Sequence, residues 1–125
     1  MGSNAGQPEV RGGMIQGYSF GKIVVDGTEY TADVLVFPER VVANWWRKEG
    51  HLLQLEDLRE VLADHPEVLI VGTGSQQCLK VSEEVAAHAR SIGVELMAFD
   101  TRTACRTFND LLGRRRAVAA LHLTC

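Results

Sequence analysis

No run of apolar residues in this chain approaches the ~20 that a membrane-spanning helix needs. The first residues lack the charged-then-apolar pattern of a secretory signal. One Arg and one Glu within residues 1–13 also make a poor mitochondrial transit peptide. Cysteine is scarce: Cys78, Cys105 and Cys125 are odd in number and widely spaced. That is neither a disulfide framework nor a CxxC redox pair, and it suits a reducing compartment. The expected location is therefore cytoplasmic. Basic charge is not in excess either. Thirteen Lys and Arg stand against sixteen Asp and Glu, a net charge of −3, so there is no electrostatic footprint for nucleic acid.

What is present is ordinary globular composition, 46% apolar and 23% charged over 125 residues, enough for one domain with its own core. Residues 1–13, rich in Gly, Ser, Asn and Gln, are expected to be disordered, with a single domain over 14–125. Asp26-Gly27 between apolar stretches predicts a β-hairpin, because a type I′ turn needs positive φ at both central residues. Pro38 ends the hairpin's second strand, and Val41–Trp46 reads as a third strand. Leu55, Leu58, Val61 and Leu62 have helical spacing, and His65-Pro66 stops that helix. Val68–Val71 is a continuous apolar run, expected of a strand covered on both faces. A helix with the stripe Val81, Val85, Ala89 and Ile92 follows, ended by Gly93. Val94–Phe99 is the next strand. Asp100 or Thr101 caps a third helix whose buried face is Ala104, Cys105, Phe108, Leu111 and Leu112, and Ala117–Leu123 closes the chain as a strand. The expected class is α/β: a small mixed sheet with helices packed on it and an N-terminal β-hairpin extension, which either continues this sheet or forms a smaller sheet packed beside it. An edge strand of such a sheet leaves a homodimer open.

Val71-Gly72-Thr73-Gly74, Gly93-Val94-Glu95, and Asp100-Thr101 with Ala104-Cys105-Arg106-Thr107-Phe108-Asn109 together resemble the Mth-nine-three-eight-like domain family. Trp46-Arg47, Gly50-His51 and Ala119-Ala120-Leu121 agree with it. The resemblance spans nearly all of 14–125. It implies a three-layer α/β fold around a mixed sheet and a function that is mostly unassigned. It also implies relatives, among them a mitochondrial complex I assembly factor and an adipogenesis-associated domain protein, held to be interaction or assembly proteins and not enzymes.

Gly72-x-Gly74 between a strand and a helix resembles the start of a dinucleotide fingerprint, yet the third glycine is replaced by Gln77. The readings are a tight structural turn or a small-anion or nucleotide-like ligand site. In open α/β sheets ligands sit beyond the carboxyl ends of the strands, which here supply Gly72, Thr73, Gly74, Ser75, Asp100, Thr101 and Arg102, with Arg47 and His51 able to join them. Against this, Asp100 and Thr101 can simply cap a helix. Cys105 lies on an apolar stripe and reads as core, while Cys78 lies in the loop after the glycines. His122 and Cys125 do not read as a metal pair, because residues three apart on a strand face opposite ways and two ligands are too few for zinc. Arg114-Arg115-Arg116 reads as solvated surface at a helix end. On a strand Trp45 and Trp46 cannot share a face, so an exposed Trp46 beside Arg47 has the composition of an interface hot spot, unless both are covered by separate layers. No nucleophile–base pair, paired catalytic carboxylates, metal set or cofactor motif is found. The expected function is a non-catalytic binding or assembly-factor-like module acting on other proteins. The alternative is a small-anion binder or modest enzyme at the Gly72–Ser75 crevice.

Overall fold

A computed structural model describes residues 14–125; the segment expected to be disordered, 1–13, lies outside the described residues. In chain order the strands and helices are β1 (Ile15–Ser19), β2 (Lys22–Val25), β3 (Thr28–Tyr30), β4 (Val34–Val36), β5 (Val41–Val42) and β6 (Leu52–Leu53). A 3-10 turn at Leu55–Leu58 leads into α1 (Arg59–Asp64). There follow β7 (Val68–Gly72), β8 (Lys80–Val81), α2 (Glu83–Ser91), β9 (Glu95–Phe99), α3 (Thr101–Leu111) and β10 (Ala117–Leu121). Among the described residues no helix is long and apolar enough to cross a membrane.

The apolar run Val68–Val71 lies near the middle of a five-stranded mixed sheet of order β9-β7-β10-β4-β5. Strands β9 and β10 flank β7 in parallel, and β4 runs antiparallel to β10. Every residue of β7 and β10 is buried, as a sheet covered on both faces requires. Alternation divides the core in two. Val68 and Ile70, with Ala117, Ala119 and Leu121, face α3 (Ala104, Cys105, Phe108) and the small sheet (Ile15, Ile23, Val25). Leu69 and Val71, with Val118 and Ala120, face Leu58 and Val61 before and in α1, and Val85 and Ala89 of α2. The result is three layers.

The hairpin forms where Asp26-Gly27 places it, with φ of 49° and 81° at the two turn residues. It does not extend the main sheet. Strands β1, β2 and β3 make a separate meander, and the chain leaves it after Tyr30 to enter the main sheet as β4. The expected strand Val41–Trp46 stops at Val42, because Asn44 adopts a left-handed φ of 56° and breaks the two-residue alternation. Two further boundaries shift. Val81 belongs to β8, which pairs in parallel with β6, and α2 starts after Ser82, whose hydroxyl accepts from the Val85 N–H. Ile92 falls past the end of α2 and is 44% exposed, so it is not part of a buried stripe. The last strand ends at Leu121, two residues earlier than the apolar pattern suggests. Arg114–Arg116 is less idle than a solvated run: Arg116 pairs with Glu39 and Asp64, and Arg115 with Glu95 and Glu67.

Phe108 is fully buried where α3 meets the sheet. Truncating Phe108→Ala leaves a cavity and is expected to lower stability by about 3–5 kcal/mol, measured by urea denaturation. A loss below about 1 kcal/mol would mean that α3 does not depend on this contact.

Candidate functional site

The carboxyl ends of β7, β9 and β10 meet where the sequence pointed, but the crevice there is filled by the chain itself. The Gly74 N–H donates to Thr101 Oγ1 (2.9 Å), and that hydroxyl donates to the His122 carbonyl (2.6 Å). The N–H groups of Ser75 and Cys78 donate to the carbonyls of Thr124 (2.8 Å) and Cys125 (2.9 Å). Thr73 bonds to the Phe99 carbonyl through both its amide and its hydroxyl. The glycines are there for closeness. A Cβ on Gly72 would meet the Leu121 and Thr101 side chains at 2.8 and 3.0 Å. One on Gly74, whose φ is +102°, would lie 2.4 Å from the Cys125 carbonyl carbon. The amides that could cradle an anion therefore already hold the segment 122–125, those of Ser75 and Cys78 directly and that of Gly74 through the Thr101 hydroxyl.

Asp100 caps α3, accepting from the Thr103 N–H (3.1 Å) and hydroxyl (2.7 Å). These two bonds hold its carboxyl below the usual range. Arg102 turns toward the small sheet, where its guanidinium lies 5.4 Å from the centre of the Tyr18 ring. There it lines a cavity of about 360 Å³ together with Tyr18, Cys105, Arg106 and Asn109. Burial pushes the Cys105 thiol up to about 12, which keeps it protonated at neutral pH. The Cys78 thiol is also raised, by desolvation and then by the neighbouring Cys125 thiol.

Arg47 and His51 do reach the strand ends, and they meet groups that the sequence reading passed over. Asp33, just before β4, accepts from Arg47 Nη1 at 2.8 Å and lies 2.8 Å from His122 Nδ1, both at Oδ2. Its Oδ1 accepts from the Leu123 N–H at 2.8 Å. Burial alone would raise the Asp33 pKa; the hydrogen bonds from His122, Leu123 and Arg47 outweigh it and hold the carboxyl below its ordinary value. The Arg47 side chain is only 6% exposed. Its Nη2 donates to the Gly50 carbonyl (2.9 Å), and its Nε is buried without a partner. The His51 and His122 rings stand edge-on, 5.8 Å between centroids, and Cys125 Sγ is 3.6 Å from His51 Nε2. The strand argument against His122 and Cys125 sharing a ligand fails here, because β10 has ended at Leu121 and both residues lie on the irregular segment after it. A charged Asp in a loop and a His after a strand carry no spacing signal; only the fold joins residues 33, 47, 51 and 122.

The tryptophans separate. Trp45 is buried beneath the 3-10 turn, its Nε1 donating to the Asp57 carbonyl (3.0 Å), with Arg47 stacked 4.7 Å from its ring centre. Trp46 is 75% exposed. Beside it runs an open groove of about 550 Å³, lined among others by Val42, Asn44, Glu56 and Arg59.

Two outcomes test this arrangement. Gly74→Ala combines an unfavourable φ with a backbone clash, so it is expected to cost about 2 kcal/mol or more, read as a fall in denaturation midpoint. Because the folded-state pKa of Asp33 is depressed, its contribution is present above the unfolded carboxyl pKa and lost as pH falls through the folded value. Stability of the wild-type chain should therefore drop on acidification more steeply than that of Asp33→Asn. The variant is already about 3 kcal/mol weaker at neutral pH, because Arg47 loses its buried counter-ion. Parallel acid profiles would contradict the coupling.

Comparison with known proteins places the chain in a family. Residues 15–123 match the family described as "Protein of unknown function (DUF498/DUF598)". The chain is 30% identical over 108 residues to NADH dehydrogenase [ubiquinone] 1 alpha subcomplex assembly factor 3 of Xenopus tropicalis, covering 85% of this chain and 58% of that protein. The chain thus spans little more than half of that relative. It is also 30% identical over 114 residues to a "13 kDa major membrane protein" of Francisella tularensis, covering 83% of this chain and 85% of that one. The solved structure of MT938 superposes with a TM-score of 0.74 at 27% identity, over 90% of this chain and 98% of the other. The chain belongs to this Mth938-like family of unknown function, whose α/β fold it shares.

Proposed function

We propose that the chain is a non-catalytic binding or assembly module whose contact surface centres on Trp46. The observation that carries the reading is the 75% exposure of an indole directly after a buried, hydrogen-bonded one. A large aromatic held at the surface by a rigid neighbour loses little entropy on binding and buries much area, which is the physics of an interface anchor. The groove beside it, where Leu35, Val42 and Ala63 stand among Glu56, Arg59 and Glu60, offers room for an amphipathic side chain of a protein partner. The similarity to a complex I assembly factor supports protein partners in general.

The alternative, a small-anion or nucleotide-like ligand or modest chemistry at Gly72–Ser75, has less support. It would require the amides of Gly74, Ser75 and Cys78 to release the protein groups they already hold.

Affinity purification from source cells with wild type and Trp46→Ala, quantified side by side, tests the surface. Trp46 makes no contribution to either core, so its truncation should leave the melting temperature within about 2 °C. Recovery of specific partners should fall by about 10-fold or more, matching a hot-spot loss. Equal recovery of the same partners with both proteins would remove Trp46 as the anchor.

A further inference from the structure

Three side chains of metal-ligating type, from two parts of the chain distant in sequence, converge at the carboxyl end of the sheet. His51 stands in the turn before β6, and His122 and Cys125 lie on the segment after β10. One ligand atom from each lies within 4.8 Å of the other two. We propose that His51, His122 and Cys125 form a binding site for a zinc-class divalent transition-metal ion, with a fourth coordination position left open. The proposal is independent of the Trp46 surface.

The geometry fits that ion. With Zn–N near 2.0–2.1 Å and Zn–S near 2.3 Å, the N···S edge of a tetrahedral site is about 3.6 Å. The His51 Nε2 to Cys125 Sγ separation is 3.6 Å. The near-perpendicular rings of His51 and His122, at 74°, can direct one nitrogen each toward a common point. His51 is exposed and Cys125 half-buried, so modest rotations of these two side chains close the remaining edges onto the fixed His122.

His122 is prepared for the role. Its ring is buried, and the ionised Asp33 carboxylate, an acceptor only, lies 2.8 Å from Nδ1. That contact assigns the proton to Nδ1 and leaves the lone pair on Nε2. Arg47 Nη2, 3.1 Å from Nδ1, has the Gly50 carbonyl as its acceptor instead. The Thr124 hydroxyl, 3.4 Å from Nε2, is too distant to occupy that lone pair firmly. A carboxylate behind a histidine is the outer-shell arrangement that orients metal-binding imidazoles and raises their basicity. Arg47 and Asp33 cancel in charge, so the only charged group a bound cation would itself recruit is the Cys125 sulfur. Coordination displaces the Cys125 S–H proton to solvent.

The competing account is a thiol–imidazole hydrogen bond with no metal affinity, and the two separate in solution. The chelator-treated, reduced full chain is titrated with Co²⁺ and then Zn²⁺. The expected result is one equivalent per chain, with a thiolate-to-Co²⁺ charge-transfer band and tetrahedral ligand-field absorption that Zn²⁺ displaces. His51→Ala and Cys125→Ser change side chains outside the buried core, so both should fold. Each should weaken binding by at least about 10-fold, and Cys125→Ser should abolish the charge-transfer band. His88→Ala, on α2 and outside the cluster, should bind as the wild type does. Absence of saturable one-to-one binding up to millimolar Zn²⁺ overturns the site, as does a band that survives Cys125→Ser or disappears with His88→Ala.

Discussion

One ionised carboxylate, Asp33, sets the geometry of the whole strand-end region. It lies where the chain leaves the N-terminal meander for the main sheet, and its two oxygens hold Arg47, His122 and the Leu123 amide. Its own backbone carbonyl accepts from the Trp45 N–H at 2.8 Å. Two segments distant from each other in sequence, 45–47 and 122–123, are thereby fixed to one residue. Taking two charges out of water costs several kcal/mol each, so the Asp33–Arg47 pair is weak grounds for net stability. Its effect is on arrangement. With Trp45 pinned by the Asp33 carbonyl and Arg47 by the carboxylate, Trp46 between them has no inward path and stands in solvent.

The same region shows why a glycine turn misleads. A loop that lets backbone approach a phosphate and a loop that lets backbone approach backbone make the same demand, namely no Cβ and freedom at positive φ. Gly74 meets the second demand, with the carbonyl of Cys125 where a Cβ would go. The missing third glycine at Gln77 belongs to this picture: Gln77 takes a left-handed φ of 57° and donates its N–H to the Gly74 carbonyl, closing a turn before β8 where a nucleotide fold would begin its helix.

The fold was largely legible because its strongest signals are local. The run Val68–Val71, the Asp26-Gly27 turn, the Asp100 cap and the glycine after α3 each act through neighbours in sequence. The errors fall where tertiary contact overrides pattern. Val81 fits a helical stripe but pairs with Leu53 across a two-residue parallel bridge. Val41–Trp46 has strand composition, yet the bonds from Trp45 and Arg47 to Asp33 bend it away after Val42. Of the site residues named from sequence, Arg47 and His51 meet at the cluster, while Arg102 is carried to the opposite face of α3's start, toward Tyr18. Asp33 left no trace, and His122, weighed only with Cys125, gave no hint of its carboxylate partner, because a pair 89 positions apart has no period to detect.

The cysteines make the same point in chemical terms. In sequence they are three equivalent single thiols, and the only distinction available is position relative to an apolar stripe. In the fold their surroundings diverge. Cys105 is enclosed by the α3 layer and its thiol is held protonated by burial. Cys78 lies in the loop that grips the chain's last residues, its amide bonded to the Cys125 carbonyl. Of the three, Cys125 lies beside an imidazole held by the half-buried Asp33 carboxylate and beside a second, exposed imidazole. Reactivity toward metal depends on thiolate formation and on partners at fixed distance, not on the cysteine itself. The tight Gly74 turn, whose neighbouring amides hold the carbonyls of Thr124 and Cys125, is therefore also what places Cys125 beside the two histidines. A single constraint, close packing of residues 122–125 against the β7 loop, occupies the amides at one candidate site and gathers the side chains at the other.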